Sequence, residues 1–291
     1  MKRALFIAGP TASGKSAFAL KAAECRNGVI INADSMQVYR DLPVLTACPS
    51  ADEQARVPHR LYGFLDGSEV CSAAFWAETA MDEIESAWSV GKLPILVGGT
   101  GMYFKVLLDG IAKVPDIPDE IRSAVRRECE QDGSKALHRQ LQDIDSEAAA
   151  RLAPGDSQRV SRAVEVFRAT GIALSTWQKD TPPGPMAEFD RAGAVDKTVI
   201  IPERRDLYQR CDLRFDYMLT AGAIAEVEAL LARQLSPDLP IMRALGVPAL
   251  TAYLGGTISL DAAAAEAKMQ TRRFAKRQLT WLRNQFSRWI D

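Results

Sequence analysis

Residues Gly9 to Ser16 read Gly-Pro-Thr-Ala-Ser-Gly-Lys-Ser, a full match to the phosphate-loop pattern Gly-x-x-x-x-Gly-Lys-Ser/Thr. The apolar run Ala4 to Ala8 precedes them, so the pattern has the strand, loop and helix context that it requires. In such a loop, backbone N–H groups and the positive end of the following helix surround an anion. We predict that Gly9, Pro10, Thr11, Ala12, Ser13, Gly14, Lys15 and Ser16 bind a polyphosphate, with Lys15 on its outer phosphate and the Ser16 hydroxyl on Mg²⁺.

A carboxylate and a hydroxyl follow two further apolar runs. Asp34 comes directly after Val29 to Ala33, and Thr100 follows Pro94 to Gly99. Because parallel strands end at one edge of a sheet, both side chains are expected near the phosphate loop. Asp34 could coordinate the metal, act as a general base or cap a helix. No acid follows the second run, which weakens an ATPase interpretation, and a tight turn explains its glycines as well as a ligand does.

Two arginines one helical turn apart, Arg210 and Arg214, are candidates for a second cation on a bound pyrophosphate. Arg210 has Asp206 four residues before it, which is an ordinary ion-pair spacing. Arg214 has no acid three or four residues away on either side. Arg214 is therefore the stronger candidate.

The charge of the 291-residue chain is nearly balanced, with a net value of −1, which by itself predicts no nucleic-acid partner. The segment from Lys268 to Arg288, however, contains no Asp or Glu and interleaves its cations with three aromatic residues, and a fourth directly follows it. The cations are Lys268, Arg272, Arg273, Lys276, Arg277, Arg283 and Arg288, and the aromatics are Phe274, Trp281, Phe286 and Trp289. A surface for a polyanion and a solvated helix face with core aromatics explain this segment equally well.

Cysteine spacing and hydropathy exclude several protein classes. The five cysteines, Cys25, Cys48, Cys71, Cys129 and Cys211, form no Cys-x-x-Cys pair. This argues against zinc ribbons and disulfide frameworks and predicts buried, reduced thiols of a cytoplasmic protein. No apolar run approaches the roughly 20 residues of a membrane span.

Alternation of short apolar runs with helical patterns predicts an α/β fold with a mainly parallel sheet flanked by helices. One such helix is expected over Ser72 to Ser89, a last strand over Lys197 to Ile201, and one long helix over Asp206 to Arg233. Proline-rich sequences at Val114 to Pro118 and Thr181 to Pro185 bracket a segment with helical patterns alone. We therefore expect a core of residues 1–115 and 186–291, and a small all-helical insertion over 116–185.

Five motifs together resemble the bacterial tRNA dimethylallyltransferases of the IPP transferase family. They are Gly9 to Ser16, Asp34 to Tyr39, Gly98 to Phe104, Asp156 to Ala163 and Ala275 to Arg283, and they extend over almost the whole chain. The resemblance implies a P-loop-type core and transfer of a dimethylallyl group from dimethylallyl diphosphate to N6 of adenosine 37, beside the tRNA anticodon. It also implies a cytoplasmic enzyme, which we expect to be a monomer.

The resemblance also implies residue roles. Asp34 matches the family's general base, and the phosphate loop with Lys15, Mg²⁺ and Arg214 would stabilise the departing diphosphate. Thr100 completes the group of catalytic positions. Positions assigned to tRNA are Asp34, Ser35, Met36, Gln37, Thr100, Arg122, Gln158, Arg159, Val160, Ser161, Arg162, Lys276 and Arg277. The helical insertion would hold the anticodon stem-loop. Where many family members have Gly-Tyr-Arg, this chain has Gly246-Val247-Pro248, so no RNA contact is assigned there.

Three other functions compete with this interpretation. A P-loop small-molecule kinase would use Arg122, Arg126 and Arg127 as a lid over the γ-phosphate, but it does not need the basic C-terminal segment. A non-catalytic RNA-binding module leaves the phosphate loop unexplained. A prenyltransferase acting on free adenine nucleotides does not require the helical insertion.

Overall fold

The computed structural model describes residues 2–289. The chain divides into two compact units: unit 1 is formed by residues 1–108 and 185–291, and unit 2 by residues 109–184. The first border lies earlier than the position expected from the proline-rich sequences, because the helix that leaves unit 1 already ends at Asp109.

Within residues 2–289, unit 1 is built on a five-stranded parallel sheet. The strands are β1 Ala4–Ala8, β2 Gly28–Asn32, β3 His59–Arg60, β4 Leu93–Gly98 and β5 Val195–Val199, in the spatial order β3-β2-β4-β1-β5. Strands β1 and β2 are buried over their whole length, as expected for a parallel sheet covered on both faces. The predicted α/β fold is confirmed.

The register of the sheet brings the predicted site together. Ala8 of β1 pairs with Gly98 of β4, and β4 also pairs with β2. The phosphate loop, Asp34 and Thr100 therefore follow strands that end at the same edge of the sheet.

Helices account for most of the remaining chain. In unit 1 they are α1 Lys15–Arg26, α2 Ala51–Arg56, α3 Ala73–Ser89 and α4 Gly101–Asp109, and after the insertion α10 Ala187–Arg191, α11 Arg204–Thr220, α12 Ala223–Ala232, α13 Val247–Leu254 and α14 Leu260–Gln285. In unit 2 they are α5 Asp119–Asp132, α6 Ser134–Ile144, α7 Ser146–Arg151, α8 Ser157–Thr170 and α9 Leu174–Lys179. Short 3-10 turns cover Pro240–Arg243 and Ser287–Trp289.

Helix α3 fixes the end of β2. The Ser72 hydroxyl caps the helix by accepting the N–H of Phe75 at 3.0 Å. Trp76, fully buried, donates its indole N–H to the carbonyl of Asn32 at 3.0 Å and stacks on Tyr103 with ring centroids 4.0 Å apart. The position of the last residue of β2, and hence of Asp34, thus depends on a buried hydrogen bond from α3.

The prediction of one continuous helix over Asp206 to Arg233 is wrong. Helix α11 ends at Thr220 and α12 begins at Ala223, because Gly222 has a φ of 111°, a left-handed conformation that ends a helix. The apolar stripe continues across the break because both helices pack on the same core.

The residues from the end of β4 to the start of α4, which we call the Gly98–Gly101 turn, pack against Ala33 and against α14. A Cβ atom on Gly98 would lie 1.9 Å from the carbonyl oxygen of Ala33. On Gly99 it would lie 2.3 Å from the amide nitrogen of Gln278, and on Gly101 it would lie 1.8 Å from the ring of Trp281. The glycines of this turn therefore admit α14 to the sheet edge.

Unit 2 is a helical bundle with a core of its own. Buried apolar side chains from α5, α6, α7 and α8 form it, among them Val125, Leu141 and Val160. Helix α8 begins after the N-cap Asp156, whose carboxylate accepts the N–H of Arg159 at 3.2 Å, and ends before Gly171, which has a φ of 71°.

All five cysteines are free thiols. Cys211 is buried, but Cys25 is exposed, so the expectation that every thiol is buried is wrong. Between residues 2 and 289 no helix is both long and apolar enough to span a membrane.

Candidate active site

The phosphate loop turns sharply between β1 and α1. Ala12 and Gly14 have φ values of 61° and 90°, left-handed conformations that reverse the chain so that α1 starts at Lys15. A Cβ atom on Gly9 would lie 2.7 Å from the hydroxyl of Ser13. The Ser13 hydroxyl is buried and has no hydrogen-bond partner in the described part of the chain.

Two cations reach this loop from different helices. Lys15 donates to the carbonyl of Pro10 at 3.2 Å, and burial lowers the pKa of Lys15 to about 8, although the nearby Asp34 carboxylate opposes the shift. Arg214 on α11 donates to the hydroxyl of Thr11, and burial lowers its pKa too. Arg210, one turn earlier, is exposed and also lies beside the loop, since a Cβ atom on Gly14 would lie 3.8 Å from its guanidinium.

Asp34 is held by backbone hydrogen bonds at the end of β2. Its N–H donates to the side-chain oxygen of Asn32 at 2.8 Å, and its Oδ1 accepts the N–H of Met36 at 3.0 Å. The Thr100 hydroxyl accepts the N–H of Ser35 at 2.9 Å. Thr100 therefore fixes the backbone next to Asp34, and the second carboxylate oxygen has no hydrogen-bond partner among residues 2–289.

Gln37 and Glu226 fix the backbone of residues 44–47. The Gln37 amide donates to the carbonyls of Thr46 and Ala47 at 3.0 and 2.7 Å. The Glu226 carboxylate on α12 accepts the N–H of Val44 at 2.7 Å, and burial raises the pKa of Glu226. Two polar side chains from elsewhere in unit 1 thus hold the backbone of residues 44–47 in place.

A cavity of about 690 Å³ joins the phosphate loop to this segment. Its polar wall includes Ser13, Lys15, Ser16, Arg210 and Arg214, and its apolar wall includes Pro43, Val44, Ala47 and Met218. Gln37 lies on the same cavity. The arrangement suits a ligand with a highly charged anionic head and a short hydrocarbon part.

Gln278 belongs to the site but was not assigned a role from the sequence. Its Oε1 accepts the N–H of Thr11 at 2.8 Å, and its Nε2 donates to the carbonyl of Gly99 at 2.9 Å. The available signal was its position, because Thr271, Ala275, Gln278 and Leu282 form one buried stripe along α14. A buried amide on an apolar stripe indicates polar partners inside the protein.

The basic segment from Lys268 to Arg288 combines the two structures considered for it, a surface for a polyanion and a helix with core aromatics. Phe286 and Trp289 are buried and stack at 3.8 Å, so these aromatics belong to the core. Lys268 and Arg272 pair with Asp216 and Asp212 of α11, at 2.5 Å in each case. The remaining cations, Arg273, Lys276, Arg277, Arg283 and Arg288, are exposed.

Unit 2 carries the other residues assigned to RNA. Gln158, Arg159 and Arg162 are exposed on α8, whereas Val160 and Ser161 are buried, Val160 in the core of the unit. Arg122 on α5 and Arg162 both lie close to the buried carboxylate of Glu165. Burial raises the pKa of Glu165, and the arginines oppose that shift. The Val160 side chain is therefore unavailable to RNA.

The two histidines occupy different environments. His59 lies on the cavity wall with its Nδ1 2.9 Å from the carbonyl of Val57. His138 is buried in unit 2, where its Nε2 lies 3.0 Å from the carbonyls of Ala149 and Leu152. Both side chains are thus tied to backbone carbonyls.

Comparison with known proteins gives one consistent result. A family model described as IPP transferase matches residues 37–285. The tRNA dimethylallyltransferase of Methylobacterium nodulans is 50% identical, covering 99% of this chain and 95% of that protein. The tRNA dimethylallyltransferase of Azorhizobium caulinodans is 52% identical, covering 99% of this chain and 91% of that protein.

Solved structures give the same picture. The tRNA isopentenylpyrophosphate transferase of Bacillus halodurans has a TM-score of 0.69 and 34% identity, covering 100% of this chain and 89% of that one. A eukaryotic dimethylallyltransferase acting on tRNA has a TM-score of 0.79 and 28% identity, covering 97% of this chain and 70% of that one. The similarity therefore includes both units.

Proposed function

The chain belongs to the IPP transferase family, that of the tRNA dimethylallyltransferases, and we propose how its site transfers a dimethylallyl group to tRNA. Dimethylallyl diphosphate is the proposed donor, and N6 of adenosine 37 is the proposed acceptor. The observation that carries the proposal is a cavity that has the phosphate loop on one wall and Pro43, Val44 and Ala47 on another. A diphosphate with a five-carbon tail matches both walls.

The phosphate loop assists departure of the leaving group. In the transfer, N6 attacks the allylic carbon, the C–O bond to the diphosphate breaks, and negative charge grows on the departing oxygen. Lys15 and Arg214 both contact the loop and line the cavity, so with the loop N–H groups they would surround the position where that charge develops. Fixed donors and cations aimed at developing charge are usually the largest contribution to such a reaction.

A magnesium ion fits this wall of the cavity. The Ser16 hydroxyl is exposed in the first turn of α1 and lines the cavity. Hydroxyl and phosphate oxygens are the hard ligands that Mg²⁺ prefers. Among residues 2–289 there is no cluster of three or more His, Cys, Asp or Glu that could hold a metal alone. Ser16 would therefore hold the ion together with the bound diphosphate. When bound, it would neutralise charge on the leaving group.

Asp34 is the proposed general base. Its Oδ1 is engaged by the N–H of Met36, and its other oxygen remains available in the described part of the chain. That oxygen would accept the proton that N6 loses as the C–N bond forms, so the products are the modified adenosine, diphosphate and a protonated Asp34. Thr100 supports the reaction by holding the Ser35 backbone beside Asp34.

The RNA would be bound by two sets of residues, of which Asp34 to Gln37 and Arg122 are half-buried and the others exposed. In unit 1 we propose Asp34 to Gln37 beside the acceptor base, and Lys276 and Arg277 on α14. In unit 2 we propose Arg122, Gln158, Arg159 and Arg162 around the anticodon stem-loop. The acceptor base must leave its stack to reach a cavity of this kind. We further propose that the enzyme acts as a monomer in the cytoplasm.

Labelled dimethylallyl diphosphate tests the proposal. The protein is incubated with Mg²⁺, the labelled donor and unmodified tRNA, and in parallel with AMP or ATP as rival substrates. We expect label on adenosine 37 of tRNA and none on AMP. Label on AMP alone, or phosphate transfer from ATP, would refute the proposal. Lys21→Ala is the matched control for variants of α1, because Lys21 is exposed on the same helix and is absent from the cavity wall.

A further inference from the structure

Gln278 links the two turns of the candidate site through one amide group. Its oxygen accepts from the phosphate loop at Thr11, and its nitrogen donates to the Gly98–Gly101 turn at Gly99. The side chain is only 8% exposed, so water has little access to replace either bond. Both partners are backbone groups, which means that the amide constrains the course of the chain in both turns.

Each hydrogen bond leads to a group of the proposed reaction. On one side, the Thr11 hydroxyl accepts from Arg214, the proposed cation for the leaving diphosphate. On the other side, Gly99 precedes Thr100, which holds Ser35 beside the proposed base Asp34. The amide therefore lies between the part of the site that binds the diphosphate and the part that accepts the proton.

We propose that Gln278 is a positioning residue of the transfer reaction, which sets the separation between the phosphate loop and Asp34. The proposal rests on the function inferred above. Gln278 is not among the residues that line the cavity, so we place its effect in its hydrogen bonds to Thr11 and Gly99. Gln278 also directly follows Lys276 and Arg277 on α14. An RNA bound to these two exposed cations would therefore lie on the same helix that contacts the phosphate loop and the Gly98–Gly101 turn.

Docking of α14 does not account for this amide. The ring of Trp281, one turn further along the helix, already lies against Gly101. A leucine at position 278 would fill similar space without making either hydrogen bond. The contribution of the amide is therefore directional, and it should appear in turnover more than in folding.

Gln278→Leu and Gln278→Glu are the test variants, and Thr271→Val is the matched control. Thr271 is equally buried on α14, but its hydroxyl donates to Ala267 of its own helix. We expect Gln278→Leu to lower kcat about 10- to 100-fold per folded molecule, with the KM for tRNA changed less than about twofold. Gln278→Glu keeps the acceptor for Thr11 but sets a carboxylate oxygen against the Gly99 carbonyl, so we expect a loss at least as large as that of Gln278→Leu. The control should retain its kcat.

A double-mutant cycle with Gly99 separates positioning from general damage. A Cβ at Gly99 would lie 2.3 Å from the Gln278 amide nitrogen, so Gly99→Ala should displace the same amide. If the proposal is right, the double variant is no slower than the slower single variant. Additive losses, or a Gln278→Leu enzyme that matches Thr271→Val, would overturn it. If the unaltered enzyme transfers no label to tRNA, it is the proposed function that fails.

Discussion

The phosphate loop after β1 and the Gly98–Gly101 turn after β4 begin side by side at one edge of the sheet, and both are rich in glycine. In the phosphate loop, left-handed backbone at Ala12 and Gly14 opens the chain toward a cavity. In the Gly98–Gly101 turn, the space that side chains would take is filled by protein, including Gln278 and Trp281 of α14. A glycine-rich sequence after a parallel strand therefore indicates a close approach, but not whether a ligand or another helix approaches.

The largest expected effect concerns Asp34, which the Gly98–Gly101 turn supports through Thr100. Asp34→Ala should lower kcat about 10²–10⁴-fold, because the general base is lost, with a smaller change in tRNA binding. Single-turnover kinetics with labelled donor would measure the chemical step. Asp34→Asn keeps an oxygen for the N–H of Met36, so it tests the turn separately from the base. Full activity of the Asn variant would mean that Asp34 is not the general base and has a structural role only.

A substitution in the phosphate loop should lower catalysis without lowering the stability of the fold. Lys15→Ala should lower kcat/KM for the prenyl donor about 10²–10³-fold, because a cation on the leaving group is lost. Its melting temperature should stay the same or rise, since a buried charge is removed. Lys21→Ala should match the unaltered enzyme in both measurements. A Lys15→Ala protein that is unfolded would contradict this division of roles.

The Gly98–Gly101 turn should show the opposite pattern. Gly101→Ala should lower the free energy of unfolding by about 1–3 kcal/mol, because its Cβ would overlap the ring of Trp281. Urea denaturation would measure this, with Gly155→Ala as the control because nothing lies within 4 Å of its added Cβ. In a Trp281→Leu background the cost of Gly101→Ala should shrink. An unchanged cost would mean that the ring is not the obstacle.

Alkaline pH should weaken the phosphate loop selectively. Burial lowers the pKa of Lys15 to about 8, so Lys15 is charged below that pH and loses its charge above it. The kcat/KM for the prenyl donor should therefore fall as pH rises through about 8, by up to about tenfold per unit. Lys15→Arg should remove this limb of the profile, because arginine stays charged. An identical limb in the Arg variant would assign the titration to another group.

The smallest effect is expected on the exposed side of α14, opposite the side that packs on the Gly98–Gly101 turn. Lys276→Gln and Arg277→Gln should each weaken tRNA binding a few-fold and reduce the slope of log K against log[salt] by about one. Lys268→Gln is the matched control, since Lys268 is paired with Asp216. Filter-binding titrations at several salt concentrations would measure the slopes. Equal slopes for all three variants would remove α14 from the RNA surface.

Local signals in the sequence were sufficient for β1, β2, β4 and the phosphate loop. Strands β1, β2 and β4 are continuous apolar runs, and the loop is a contiguous motif, so their chemistry is legible over a few residues. Strand β3, His59–Arg60, was missed because two polar residues carry no strand pattern and depend on pairing with β2. The break at Gly222 was missed because the apolar stripe continues through it.

Contacts between distant segments could not be predicted in this way. Gln278 lies 179 residues from Gly99 and 267 from Thr11 along the chain, and no local pattern links them. The fold must first bring α14 to the sheet edge. What the sequence does contain is a polar residue on a buried stripe, which marks a position without naming its partners.

The contact between Gly101 and the ring of Trp281 constrains the order in which this chain can change over evolutionary time. A lineage that replaced Gly101 first would pass through a destabilised protein, because no space exists for the new side chain. A lineage that first replaced Trp281 by a smaller residue would open that space and could then accept a larger residue at position 101. The same residues are thus reachable by one mutational route and obstructed by the other, so the history of substitutions at these two positions should be directional.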